Sequence, residues 1–208
     1  MLLTSGNKKL KKTGNKHGIT LLAFTRPAGL TCSKAGACTT WCYAQRGPFL
    51  FPHPRQHAVN NYHTSKTAEF VPLVNAELTI HKHKGKPVWV RIHDAGDFQN
   101  DTEYVLRWMN IIQHNTDVQF YAYTKEHVLL RQLGMDKLPN FTMLCSEGGL
   151  DDDKIEGTRV KVVPVGTTTL PDGYVFGDMD DDLHSVHAAK AGNNIALLAH
   201  GGAKHKVK

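Results

Sequence analysis

Residues 87–97 have the sequence PVWVRIHDAGD, an apolar run that ends in a turn containing Asp and Gly. The apolar part, Pro87–His93, is typical of a buried strand. Helical patterns flank it, because Thr67–His81 precedes it and a helix capped by Asp101 or Thr102 follows. A strand between two helices indicates a βαβ unit, in which a right-handed crossover joins parallel strands.

The same alternation continues in both directions along the chain. Further strands are predicted at Ile19–Phe24, Val118–Tyr123, Phe141–Cys145, Val160–Val165 and Ile195–Ala199, and further helices at Pro54–Ser65 and Glu126–Leu133. This pattern predicts an α/β fold with a mostly parallel sheet. Because 208 residues fall short of the roughly 250 of a complete eight-stranded barrel, we expect a shortened, open (partial) βα barrel of five or six strands.

Charge is concentrated at the two ends of the chain. Eight of the 25 Lys and Arg residues lie in residues 1–18 and 203–208, where there is no Asp or Glu, which leaves 17 against 19 acidic residues elsewhere. We therefore predict two basic tails around a single α/β domain over residues 19–202. The tails are interpreted either as solvated segments or as weak, non-specific contacts to nucleic acid.

Several classes of function lack their usual sequence patterns. There is no apolar run of about 18 residues and no secretory signal, so we expect a cytoplasmic protein without membrane contact. The phosphate-loop, GxSxG and HExxH patterns are also absent from the sequence. Ordinary nucleotide hydrolysis, serine hydrolysis and zincin chemistry therefore have no support.

Three of the four cysteines lie in one loop over residues 32–42. Cys32, Cys38 and Cys42 are separated by gaps of five and three residues, and Cys145 stands alone at the end of a predicted strand. Clustered thiolates in a reducing compartment select soft metals, and a single loop favours an iron–sulfur cluster over a two-knuckle zinc site. Zinc with a His ligand and simple burial of the thiols both stay open. Cys145 is expected either to be the fourth ligand or to leave that position open.

Other reactive residues follow the ends of the predicted strands. Because the carboxyl ends of parallel strands share one edge, these residues should converge there with the cysteine loop. The predicted cofactor-binding residues are His93, Asp94, Gly96, Asp97, Tyr123, Lys125, Ser146 and Glu147. For each of them a structural role, such as a turn, a helix cap or a surface position, is the alternative interpretation.

The opening strand, the cysteine loop ending in Cys42-Tyr43-Ala44 and the βα series resemble the core of radical S-adenosylmethionine (SAM) enzymes. The spacing departs from that superfamily, whose loop has gaps of three and two residues. The resemblance implies that the segment from His93 to Asp97 faces the cofactor. It also implies a [4Fe–4S] cluster and, at an open iron, S-adenosylmethionine.

The chain is also similar to a phage family described as a gene product 88 domain. The shared features cover residues from about 7 to 201 and include the Lys-rich start, the cysteine loop, 90–98, 120–125, 139–140 and 198–201. The family implies a fold and cluster binding but no reaction, and a location in the bacterial host cytoplasm if the chain is phage-encoded. Longer members carry extra C-terminal cysteines, which this chain lacks.

The leading prediction is thus a phage-type iron–sulfur protein on a radical-SAM-like scaffold, with no reaction assigned. Its metal ligands would be Cys32, Cys38, Cys42 and Cys145. A zinc-stabilised nucleic-acid-binding module and an active radical SAM enzyme are the two alternatives. The sequence does not decide whether the protein is an enzyme.

Overall fold

The computed structural model describes residues 1–199. Its α-helices are α1 (Lys8–His17), α2 (Pro52–Thr64), α3 (Phe70–Lys82), α4 (Thr102–His114), α5 (His127–Gln132) and α6 (Asp182–Lys190). Its strands are β1 (Thr20–Phe24), β2 (Val88–Ile92), β3 (Gln119–Thr124), β4 (Phe141–Ser146), β5 (Arg159–Val163), β6 (Tyr174–Phe176) and β7 (Asn194–Leu198). No helix within residues 1–199 is long and apolar enough to cross a membrane.

The strands form one open, parallel sheet of seven strands in the order β1-β2-β3-β4-β5-β7-β6. Every pairing along this order is parallel, with Val90 of β2 aligned with Leu22 of β1 and with Phe120 of β3. The predicted α/β class with an open, mostly parallel sheet is confirmed. The expected five or six strands are too few, because the three-residue β6 is too short to produce a periodic signal.

Alternation along the strands sends side chains to two apolar clusters. In β1, Leu22 and Phe24 pack with α3 and α4, whereas Leu21 and Ala23 pack on the opposite face with α1 and α6. The sheet is therefore covered on both faces, as parallel sheets require. The face covered by α1 and α6 is called the inner face below.

The basic segment at the N-terminus is folded, which differs from the solvated tail expected for residues 1–18. Asn7 caps α1 by accepting a hydrogen bond from the backbone N–H of Leu10, and Gly18 ends the helix with φ of 65°. Leu3 and Leu10 are fully buried. The segment folds because burial of these side chains and distant acidic residues stabilise it. The predicted C-terminal tail, residues 203–208, lies outside the described residues, and the domain limits 19–202 stay a prediction.

Three of the five lysines of α1 are paired with the acidic residues that lead into and begin α6. Lys12 Nζ lies 2.7 Å from Asp180, and Lys16 Nζ lies 2.8 Å from Asp181. Lys9 Nζ lies 3.0 Å from Asp182. These cations are therefore partly neutralised within the fold, which weakens the interpretation of the N-terminal segment as a nucleic-acid contact.

Candidate functional site

A cleft of about 240 Å³ lies at the carboxyl edge of the sheet, between the strand ends and the cysteine loop. Ten of the twelve predicted site residues line it: Cys32, Cys38, Cys42, His93, Asp94, Gly96, Asp97, Tyr123, Lys125 and Ser146. They converge because parallel strands end at the same edge. The two exceptions are Cys145 and Glu147.

Cys145 lies on the face of the sheet opposite the cleft. Its neighbour Leu144 packs into the inner-face cluster, so the alternation of β4 directs the Cys145 side chain to the other side. There the thiol is fully buried and its Sγ lies 3.8 Å from the carbonyl oxygen of Glu156. Cys145 is therefore not placed to complete a site with the three loop cysteines.

The side chains that could ligate a metal ion do not come together as a metal centre. Within residues 1–199 no group of three or more His, Cys, Asp or Glu side chains is arranged to hold a metal ion. Burial, helped by the nearby Asp97 carboxylate, raises the pKa of Cys32 to about 11, which favours the thiol over the metal-binding thiolate. The prediction of an iron–sulfur protein is therefore wrong. The zinc-stabilised module and the radical SAM enzyme fail with it, because each requires such a centre.

Close packing against a second loop explains why the cysteine loop contains a glycine at position 36. The backbone N–H groups of Gly36 and Cys38 both donate to the carbonyl of Gly148, at 3.1 and 3.2 Å. A Cβ at position 36 would lie 3.0 Å from the carbonyl oxygen of Gly149. Gly36 thus allows two loops to approach closely, and its neighbours Ala35 and Cys38 line the cleft.

The segment Ser146 to Gly149 is not an open anion-binding nest. The N–H groups of Gly148 and Gly149 already donate to Asp152, at 2.7 and 2.9 Å. Glu147 accepts a hydrogen bond from the hydroxyl of Tyr174 at 2.6 Å, away from the cleft. Of this segment only Ser146 lines the cleft.

Asp97 holds the turn after β2 against the end of β3. Its carboxylate accepts hydrogen bonds from the Thr124 hydroxyl at 2.6 Å and from the backbone N–H of Lys125 at 2.9 Å. Burial raises its pKa although these donors oppose the shift. The neighbouring Gly96 has φ of 82°, and a Cβ there would lie 2.8 Å from the carbonyl oxygen of Arg26. Both residues therefore shape the cleft.

His93 is locked beneath the cleft in an unusual backbone conformation. Its φ is 66°, which is uncommon for a residue with a side chain. The ring Nε2 lies 2.8 Å from the Tyr104 hydroxyl, with which it shares a hydrogen bond. Burial, with Arg26 and Arg91 nearby, lowers its pKa well below the ordinary value, so the imidazole is neutral at pH 7.

Asp94 is the carboxyl group of the cleft that lacks a full set of partners. Its side chain is only 8% exposed, and it lines the cleft. Oδ1 is buried and has no hydrogen-bond partner among residues 1–199. Burial raises the pKa of Asp94, against the opposing effects of Arg91 and the Thr25 hydroxyl. A buried polar oxygen without a partner is rare in folded proteins and needs an explanation.

An ion pair at the floor of the cleft was missed by the sequence analysis. Arg91 Nη1 donates to both carboxylate oxygens of Asp182 at 3.2 Å, and the Tyr121 hydroxyl donates to the same carboxylate at 2.5 Å. The signal available was an arginine inside the apolar strand PVWVRIH, because a buried arginine requires a partner. The identity of that partner, 91 residues away, was not available from the sequence.

Three comparisons relate the chain to known proteins. Residues 1–208 match the profile of the family described as Gene product 88. "Gene 88 protein" of Mycobacterium phage D29 is 29% identical over 154 residues, which cover 67% of this chain and 62% of the phage protein. "Gene 88 protein" of Mycobacterium phage L5 is 30% identical over 139 residues, which cover 63% and 56% of the two chains. The chain thus spans less than two thirds of the length of either relative.

No solved structure matches the chain, so its likeness to a radical SAM barrel is not shown. The similarity to the phage family, first indicated by motifs spread along the sequence, is confirmed by the match over all 208 residues. On this match, the chain belongs to the Gene product 88 family.

Proposed function

We propose that the protein binds a small zwitterionic organic molecule in the cleft. The observation that carries the proposal is that Asp94 lines the cleft while its Oδ1, shielded from solvent, has no hydrogen-bond partner among residues 1–199. Burying a polar atom without a hydrogen bond destabilises a fold, so such an atom is best explained by a partner that arrives with a ligand. An amine or another hydrogen-bond donor satisfies this oxygen.

Lys125 offers the complementary contact in the same cleft. Its ammonium donates to the Ser146 hydroxyl at 2.9 Å, and it forms no ion pair with a carboxylate of residues 1–199. Its charge acts on the buried Asp97, but its one side-chain hydrogen bond goes to a neutral hydroxyl, so the ammonium can still attract an acidic group. Asp94 and Lys125 line the same cleft and therefore suit the amine and the acidic group of one ligand.

The charges of the cleft lining, with Asp94 and Lys125 included, balance each other. The cations Lys9, Arg91 and Lys125 face the acidic groups Asp94, Asp97 and Asp182 in its lining. A balanced lining favours a ligand with no net charge over a polyanion such as nucleic acid. The volume of about 240 Å³ lies just below the ~300–1,000 Å³ typical of small-molecule sites. Trp41 and Tyr123 add aromatic surface for an apolar part of the ligand.

The test uses three matched probes: L-phenylalanine, 2-phenylethylamine, which lacks the carboxylate, and 3-phenylpropionate, which lacks the amine. Binding is followed by amide chemical shifts of the isotope-labelled protein. We expect L-phenylalanine to bind at least about tenfold more tightly than either analogue, with shifts centred on residues 93–97 and on the Trp41 indole.

Two variants separate the contacts. Asp94→Asn should weaken the binding of L-phenylalanine and 2-phenylethylamine but not the binding of 3-phenylpropionate. Lys125→Met should weaken the binding of 3-phenylpropionate but not the binding of 2-phenylethylamine. Asp117→Asn, which changes an exposed ion pair with Lys82, is the control. Equal affinity for all three probes, no binding in the millimolar range, or indifference to Asp94→Asn would contradict the proposal.

A further inference from the structure

The outward face of α3 is mostly apolar, and Thr79 is its one polar exposed residue. Its exposed residues are Pro72, Leu73, Ala76, Thr79 and Ile80. Leu73 is 45% exposed and Ile80 is 60% exposed, although the opposite side of the helix already buries Phe70, Val74 and Leu78. A surface helix ordinarily carries charged residues on its outer face. A single exposed leucine is ordinary, but a continuous stripe over more than two turns marks an interaction surface.

We propose that this stripe, residues 72–80 of α3, pairs with the same stripe of a second copy of the chain in an antiparallel dimer. In such a pair, Leu73 lies opposite Ile80 of the second copy. Ala76, near the centre, lets the two helices approach closely because its side chain is small. The apolar part of the stripe is therefore complementary to itself.

Charges at the two ends favour the antiparallel arrangement. Exposed Glu69 lies four residues before Leu73, and exposed Lys84 lies four residues after Ile80. An antiparallel pair thus places Glu69 beside Lys84 of the second copy, twice, by symmetry. The dipoles of two antiparallel helices also attract each other, which favours this arrangement.

The stripe fits a protein partner better than a lipid surface. Helices that lie on membranes carry large aromatic side chains on the apolar face and Lys or Arg along the polar flanks. The exposed stripe contains no aromatic residue. A narrow stripe on one helix buries less than the ~1,200 Å² of a stable interface, so the dimer is expected to be weak and concentration-dependent.

Sedimentation equilibrium of the full chain over a wide concentration range tests the proposal. We expect a monomer–dimer equilibrium with a dissociation constant on the order of 10–100 µM. Leu73→Glu should weaken it at least about tenfold. Val165→Glu, at a site that is 55% exposed and off the stripe, is the matched control and should leave it unchanged.

A charge exchange provides a second test that does not depend on the apolar contacts. Glu69→Lys alone should weaken the dimer, and the combination of Glu69→Lys with Lys84→Glu should restore it, because the pairing is then reversed. Circular dichroism checks that each variant is folded. A chain that stays monomeric, a dimer equally sensitive to Leu73→Glu and Val165→Glu, or a failure of the double exchange to restore binding would overturn the proposal. A monomer that cosediments with phosphatidylglycerol vesicles would also overturn it, by assigning the stripe to lipid.

Discussion

The buried carboxylate of Asp182 provides the sharpest test of the site's architecture. Asp182 is 1% exposed and accepts hydrogen bonds from Arg91 at 3.2 Å and from Tyr121 at 2.5 Å. Lys9 Nζ lies 3.0 Å away. Asp182→Ala removes the anion that all three donors share and leaves the buried Arg91 guanidinium without its anionic partner.

The expected cost follows from this environment. Removing one partner of a buried ion pair costs about 3–5 kcal/mol, and leaving the Tyr121 hydroxyl unpaired adds about 1 kcal/mol, although the two losses are not fully additive. We therefore expect Asp182→Ala to lower the free energy of unfolding by about 4 kcal/mol. The matched control is Asp180→Ala, which removes the exposed pair between Lys12 and Asp180, where the carboxylate is 73% exposed. That change should cost less than about 1 kcal/mol.

Urea unfolding followed by circular dichroism measures both variants, and the slope against urea concentration should stay unchanged. Equal losses for Asp182→Ala and Asp180→Ala would refute the buried ion pair.

The pH dependence of stability gives a second test of the same ion pair. Burial alone raises the pKa of Asp182, but Arg91 and Lys9 outweigh it and hold the pKa below its ordinary 3.8. The advantage of the native protein over Asp182→Asn should therefore be full above pH 4 and disappear as the pH falls below the folded pKa.

Three further predictions test the turn, the N-terminal helix and the isolated thiol. Gly96→Ala should lower the free energy of unfolding by at least about 3 kcal/mol, because the added Cβ would meet the backbone of Arg26. Gly85 has a similar φ but open space around it, so the control Gly85→Ala should cost about 1 kcal/mol. Equal losses for the two variants would contradict this prediction. Leu10→Ala should cost about 2–4 kcal/mol because Leu10 is fully buried, and a cost near zero would indicate a solvated tail. Burial raises the pKa of Cys145 to about 11, so its alkylation by iodoacetamide at pH 7 should require unfolding, as mass spectrometry can show.

The location of the cleft could be predicted from the sequence because it depends on topology more than on detailed packing. Alternating strands and helices indicate a parallel sheet, and the carboxyl ends of parallel strands meet at one edge. Asp94, Lys125 and the cysteine loop, taken from separate parts of the chain, therefore line one cleft as expected.

The spacing of the cysteines in the sequence was not enough to predict a metal centre, because it does not determine which face of the sheet a side chain lies on. A shift of one residue moves a side chain to the opposite face of the sheet. Cys145 and Ser146 are adjacent in sequence, yet only Ser146 lines the cleft. The three loop cysteines also fail to form a metal-binding group by themselves within residues 1–199.

The sequence alone determined the α/β class, the parallel sheet and the edge where reactive side chains gather, since these follow from local periodicity and the handedness of crossovers. Only the tertiary structure decided which buried polar side chains have hydrogen-bond or ion-pair partners. Asp182 is neutralised by Arg91 of strand β2 and Lys9 of helix α1, whereas Asp94 keeps an oxygen without a partner among residues 1–199. The physical reason is that hydrogen bonds and ion pairs between distant residues depend on three-dimensional distance and burial, which local sequence patterns do not encode.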